Sequence, residues 1–151
     1  MTQTRHALTG IQAALSDYYD RLQRIPSIWP AAGRIASRFG DRTHPILGGE
    51  RFHEGVDISC PSGTPVAVAA EGVVSFAGWQ GGYGYLVRVD HGNGYETRYA
   101  HLSRILVRSR QWLNKGETLG LAGTTGLSTG PHVHYEVWAG GQVVNPVFYL
   151  P

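Results

Sequence analysis

Leu86-Val87-Arg88-Val89-Asp90-His91-Gly92-Asn93-Gly94-Tyr95-Glu96-Thr97-Arg98-Tyr99-Ala100-His101 reads as two strand-like runs folded about an Asn-Gly pair. Both central residues tolerate positive φ, which favours them in the tight turn of a hairpin, so the two runs should pair antiparallel. Side chains alternate along a strand, which predicts that Tyr95, Thr97, Tyr99 and His101 share one face and Glu96, Arg98 and Ala100 the other. Similar short runs occur at residues 31–40, as a turn and a short strand, and at 64–70, 72–79, 118–122, 132–138 and 142–144, separated by many of the 21 glycines. The pattern predicts an all-β, antiparallel β-sheet domain with tight turns.

The first 25 residues have a different period. Leu8, Ile11, Leu15, Tyr18, Leu22 and Ile25 are spaced 3, 4, 3, 4, 3, the seam of a heptad. This predicts a short N-terminal amphipathic helix over residues 1–25, either packed on its own domain or forming a coiled-coil end. In the second case residues 8–25 would serve self-association or receive a partner helix. Pro26 and Pro30 interrupt the helical ladder, making residues 26–30 a linker and 31–151 the main domain.

A 151-residue chain can build one hydrophobic core without a metal or disulfide to hold it, so a metal here would be catalytic. The formal charge of +2 is too small to point to nucleic acid. Cys60 is the single cysteine, which excludes an intramolecular disulfide and a Cys-rich zinc site. No apolar run is long enough for a membrane span, and the N-terminus lacks a signal-like series. Residues 41–52 read as a polar loop containing His44, suited to one wall of a cleft. The glycine-rich segments 78–84 and 124–130 lack phosphate-loop spacing and read as flexible loops flanking a groove.

The chemistry concentrates at three places. In Gly130-Pro131-His132-Val133-His134-Tyr135-Glu136, a strand would point His132 and His134 the same way, about 6.5 Å apart. In His53-Glu54-Gly55-Val56-Asp57 the histidine and aspartate could share a metal only if the chain bends, which Gly55 permits. Two imidazoles and a carboxylate, from His53, Asp57 and His134, would leave a fourth zinc position for water. At Tyr99-Ala100-His101-Leu102, His101 would have to converge on His132 for two imidazoles to flank that water, one as general base. Glu54 and Glu136 compete for the same role, Glu136 being about 6.6 Å farther along the strand than His134.

These three motifs, in this order, resemble peptidase family M23, the zinc peptidoglycan endopeptidases of the lysostaphin and LytM type. The likeness extends to Ser37-Arg38-Phe39-Gly40-Asp41-Arg42 and Asn145-Pro146. It implies one Zn2+ per chain on His53, Asp57 and His134, with His101 and His132 as catalytic histidines beside a zinc-bound water. It also implies a compact antiparallel β-sheet domain with a loop-walled groove, and hydrolysis of peptide bonds in bacterial peptidoglycan stems or crossbridges. Such proteins work in the periplasm or outside the cell, so an export signal is expected outside this sequence. The stretch Arg108-Ser109-Arg110 departs from the family, standing where a glycine turn is expected. One alternative is a latent or non-enzymatic regulatory and wall-binding module of the same fold, with residues 1–30 covering the groove. Another rests on Gly72-Val73-Val74 and Asn114-Lys115-Gly116-Glu117-Thr118-Leu119-Gly120, which resemble biotinyl and lipoyl carrier hairpins and would make Lys115 a modification site.

Overall fold

The computed structural model describes residues 2–43 and 50–151; His44 lies outside the described residues. The chain opens with helix α1 (Thr2–Gln23) and continues through β1 (Arg34–Ser37), β2 (Gly40–Thr43), β3 (Glu50–His53) and β4 (Val56–Ser59). β5 (Pro65–Ala67), β6 (Gly72–Trp79), β7 (Tyr85–Gly92) and β8 (Tyr95–Ile105) follow. The chain closes with β9 (Trp112–Leu113), β10 (Thr118–Ala122), β11 (His132–Ala139) and β12 (Gln142–Val144). The main sheet runs β1-β4-β11-β8-β7-β6-β9, with β12 on β11 and β10 bridging β8 to β5. All of its pairings are antiparallel. The fold is therefore all-β with one short N-terminal helix, as the sequence predicts.

The predicted hairpin is β7–β8. Asn93 and Gly94 have φ of 52° and 81°, both in the left-handed region the turn requires. On β11, Val133, Tyr135 and Val137 enter the core with Val56 and Ile58 of β4 and Tyr99 and Leu102 of β8. The intervening residues of β11 and β4 face the other side of the sheet. Thr97 and Tyr99 are buried too, in a chain of polar contacts. His91 Nδ1–H donates to the Glu71 carbonyl (2.8 Å) and its Nε2 meets Thr97 Oγ1 (2.7 Å). Thr97 Oγ1 meets the Tyr99 hydroxyl (2.6 Å), which accepts from Ala69 N–H (2.9 Å). Burial lowers the His91 pKa, keeping the ring in the neutral form this chain needs.

Three expectations are corrected. Residues 41–52 are not wholly loop: β2 and β3 form a separate two-stranded sheet, pairing Gly40 with His53 and Asp41 with Phe52. Their polar sequence carries no hydrophobic alternation, so nothing announces the pairing. β4 and β9 are further strands outside the predicted runs. Most consequentially, His101 does not share a face with Thr97 and Tyr99. Between the pairs Tyr85↔Leu102 and Val87↔Tyr99, two residues of β8 oppose one of β7. This bulge puts His101 at φ 60° and turns its side chain away from the core.

Residues 9–22 of α1 are exposed throughout, including Ile11, Leu15, Tyr18 and Leu22. Its C-terminal end is held where the Lys115 ammonium donates to the Leu22 carbonyl (2.9 Å) and to Ser27 Oγ (2.6 Å). A cation at a helix C-terminus meets both the open carbonyls and the negative end of the dipole. Lys115 is thus engaged in a cap rather than displayed at a hairpin tip. Residues after the helix lie along the domain, with Ser27 N–H donating to Ala69 O and Ala67 N–H to Pro30 O.

Two buried tyrosines separate hydrogen bonding from packing. The Tyr135 hydroxyl has no hydrogen-bond partner among the described residues, whereas that of Tyr99 has two. Tyr99→Phe should cost about 1–3 kcal/mol by leaving Ala69 N–H without an acceptor and removing one of the two partners of Thr97 Oγ1, and Tyr135→Phe should be neutral or stabilising. Urea unfolding of the two variants measures the difference; a larger loss for Tyr135→Phe would contradict the assignment.

Candidate metal centre

In the β4–β11 ladder His134 stands opposite Asp57 and His132 opposite Ser59. The register is fixed from the other face. A slip of one residue would take Val133, Tyr135 and Val137 out of the core, at about 1.5–3 kcal/mol each, which approaches the whole stability of a small domain. His53 stands at the end of β3, immediately before the chain turns at Glu54 and Gly55 into β4. The predicted bend is present, and a close approach at Gly55 requires glycine: a Cβ there would lie 2.2 Å from the Tyr135 carbonyl oxygen.

His53, Asp57 and His134 meet at the floor of a groove. Asp57 Oδ1 is 2.9 Å from His134 Nδ1 and 3.2 Å from His53 Nε2, and the two ring nitrogens are 3.2 Å apart. The far sides of both rings are already committed. His53 Nδ1–H donates to the Arg38 carbonyl (2.8 Å), and His134 Nε2–H donates to Glu136 Oε2 (2.7 Å). A neutral imidazole has one N–H, so each presents a lone pair inward, beside a carboxylate. Three acceptors facing one another call for a cation. Ligands bound tetrahedrally at 2.0–2.1 Å sit about 3.3 Å apart, so these separations suit an ion the size of zinc.

Charge points the same way. Burial alone would lower the His134 pKa, but the Asp57 and Glu136 carboxylates outweigh it and raise the value to about 9. Burial would raise the Asp57 pKa, but the His134 and His53 rings beside it outweigh that and hold it well below the usual carboxylate range. The surroundings therefore favour positive charge between these side chains.

His101 and His132 stand beside this cluster, their ring centroids 4.8 Å apart, and His101 lies 6.0 Å from His134. Both are oriented by backbone carbonyls. His101 Nδ1–H donates to Thr125 O (2.7 Å) and His132 Nδ1–H to Gly130 O (2.7 Å), leaving Nε2 of each available. His132 Nε2 lies 3.6 Å from Asp57 Oδ1. Burial, more than the neighbouring imidazoles, pushes the His101 pKa down to about 4 against the opposing Thr125 bond. The five predicted residues thus come together, with His101 brought in by the bulge that sequence periodicity missed.

The two glycine-rich segments are bonded to each other. Leu127 N–H donates to Gly82 O (2.8 Å), Tyr85 N–H to Thr125 Oγ1 (3.2 Å), and Thr125 Oγ1–H to Leu102 O (2.6 Å). At the crossing a Cβ on Gly126 would lie 2.4 Å from Gly84 N, and both glycines have positive φ. These contacts hold the Thr125 carbonyl against His101. Phe52, Glu54, Tyr83, Leu127 and Thr129 complete the walls of the groove, about 300 Å³ in volume, and no lining residue comes from α1 among the described residues.

Glu136 is corrected as a base candidate. Its carboxylate is 1% exposed and lies behind His134, on the ring nitrogen turned away from Asp57. Glu54 is exposed on the groove wall. Sequence reasoning missed Tyr83, whose hydroxyl donates to Glu136 Oε2 (2.9 Å), and the carbonyls of Arg38, Thr125 and Gly130. Backbone acceptors leave no side-chain signal, and Tyr83 lies in a glycine-rich loop with no periodicity to show which way its ring points.

Gly126→Ala would strain a left-handed position and force the crossing apart. It should lower the melting temperature and shift the His101 ring resonances while those of His53 stay in place. An unchanged melting temperature and His101 spectrum would contradict the coupling.

Residues 51–146 match the Peptidase family M23. The chain is 52% identical over 114 residues to the DD-carboxypeptidase/endopeptidase Mpg of Neisseria meningitidis, covering 76% of this chain and 26% of that protein. It is 42% identical over 135 residues to the peptidoglycan DD-endopeptidase ShyA of Vibrio cholerae, covering 85% of this chain and 31% of that protein. Among solved structures, a zinc-containing peptidase from Vibrio cholerae superposes with a TM-score of 0.74 at 34% identity, over 80% of this chain and 39% of that one. The catalytic domain of lysostaphin from Staphylococcus simulans superposes with a TM-score of 0.70 at 28% identity, over 78% and 91%. The chain spans between a quarter and a third of the length of these curated relatives, and it belongs to peptidase family M23.

Proposed function

We propose that this domain is a zinc-dependent endopeptidase that hydrolyses peptide bonds in bacterial peptidoglycan, working in the cell envelope. The observation that carries the reading is the convergence of His53 Nε2, Asp57 Oδ1 and His134 Nδ1 beneath a groove, with two further imidazoles alongside. The names of the similar proteins support the substrate class. His53, Asp57 and His134 would hold the metal, which when bound would supply Lewis acidity to a scissile carbonyl and to water.

The chain's own groups then handle the proton. His101, held neutral by burial and with Nδ1 committed to Thr125, accepts it at Nε2 as the attacking water forms its bond to the carbonyl carbon. The resulting imidazolium returns that proton to the leaving nitrogen as the C–N bond breaks. His132, fixed by Gly130 and facing Asp57, orients the reactants and supports charge developing on the carbonyl oxygen. The groove loops exclude water from the flanks of the bound peptide. The exposed apolar stripe Ile11, Leu15, Tyr18 and Leu22 on α1 serves self-association or a partner helix.

His101→Ala should keep its zinc and lose turnover by about 10²- to 10⁴-fold, whereas His134→Ala should lose the metal as well. Metal analysis and digestion of isolated peptidoglycan of defined crosslink chemistry, with fragments identified by mass and a chelator control, measure both. Zinc content and fragment yield equal to wild type in both variants would overturn the proposal.

A further inference from the structure

Four histidines meet in this site, and they are not held alike. His53, His101 and His132 each give Nδ1–H to a backbone carbonyl and present Nε2. His134 does the reverse: it presents Nδ1 to Asp57 and gives Nε2–H to a carboxylate, Glu136. The reason lies in the ladder. Directly paired residues on neighbouring strands have Cβ atoms only about 4.5–5.5 Å apart. Across so short a gap the near nitrogen of the ring reaches the shared point, and the far one overshoots it. The far nitrogen must then carry the proton, which requires an acceptor on that side.

Glu136, two residues on and so on the same face of β11, meets that requirement. Its Oε2 accepts from His134 Nε2–H (2.7 Å) and from the Tyr83 hydroxyl (2.9 Å). Its Oε1 accepts from Trp138 Nε1–H (2.8 Å), two residues further along, and lies 4.0 Å from Arg98 Nε. Arg98 is itself fixed, stacked 4.1 Å from the Trp138 ring centroid and bonded to Glu96 Oε2 at 2.6 Å. The carboxylate is thus tied to three donors or cations besides the histidine, and it has no freedom to turn towards the groove.

We propose that Glu136 is the positioning residue of the metal centre: it selects the His134 tautomer that can bind through Nδ1 and, through Tyr83, joins that ligand to the groove wall. A carboxylate behind a ligating imidazole also makes the ring a better donor than a carbonyl would. Tyr83 lines the groove and belongs to the segment 81–83, whose Gly82 carbonyl receives Leu127 N–H from the facing loop. A displacement of that wall would therefore reach the metal ligand through one hydroxyl and one carboxylate.

This inference rests on the zinc reading, and the experiment separates the two. Long-range proton–nitrogen correlation spectra of the wild-type chain report the His134 tautomer directly, and competition against a chromophoric chelator reports the zinc dissociation constant. Wild type should show His134 protonated at Nε2. Glu136→Gln should weaken zinc binding by about 10- to 100-fold, and Tyr83→Phe, which leaves the acceptor in place, by less. A neutral wild-type His134, observed above its pKa of about 9, that keeps its one proton at Nδ1 overturns the inference whether or not the variant folds. So does a Glu136→Gln dissociation constant within twofold of a zinc-binding wild type, and in that case the proposed function stands. A wild type that binds no zinc removes both.

Discussion

His134 stands across from Asp57 because three apolar side chains on the other face of β11 fix the strand's register, and the rest of the site depends on that pair. The ladder brings an imidazole and a carboxylate to 2.9 Å without help from any loop. His53 is then added from the end of β3, where glycine at position 55 lets the backbone pass against Tyr135. Asp57 and His134, two of the three proposed metal ligands, are thus anchored in a sheet whose disruption would cost most of the domain's stability.

The second layer sets direction. Each of the four histidines gives its one N–H to an acceptor behind it, so the inward lone pairs are fixed by hydrogen bonds at 2.7–2.8 Å. These acceptors come from different places: the segment between β1 and β2, the loop between β10 and β11, and β11 itself. The proposed metal ligands and the proposed proton-handling histidine therefore rest on different supports. His53 and His134 are held by the sheet and its neighbour, whereas His101 depends on Thr125 and on the crossing of two loops at Gly84 and Gly126. Substitutions in those loops should act on the proton-handling side first.

Much of this was legible in the sequence. The alternation of residues 132–138 fixes which side chains share a face, and Asn93-Gly94 fixes the hairpin. His53, Asp57, His101, His132 and His134 could be named from their motifs. What was not legible has physical causes. A bulge changes the facing of a residue without changing its neighbours' chemistry, so His101 reads as sharing a face with Thr97 and Tyr99 when it does not. Glu136 reads as a base because a strand's period puts it on the right face, yet the period says nothing about which ring nitrogen it will meet. The pairing of β2 with β3 involves polar residues and leaves no hydrophobic trace. The exposed stripe on α1 keeps its heptad spacing, but spacing alone does not name what covers it.

The central claim is that His53, Asp57 and His134 form one zinc site with His101 and His132 left unbound. X-ray absorption at the zinc edge on the zinc-loaded protein tests it most directly. The expected result is one zinc per chain with two imidazole nitrogens and light-atom oxygen ligands at about 2.0–2.2 Å. A shell of three or more imidazoles, or zinc bound below stoichiometry at saturating metal, would contradict the account.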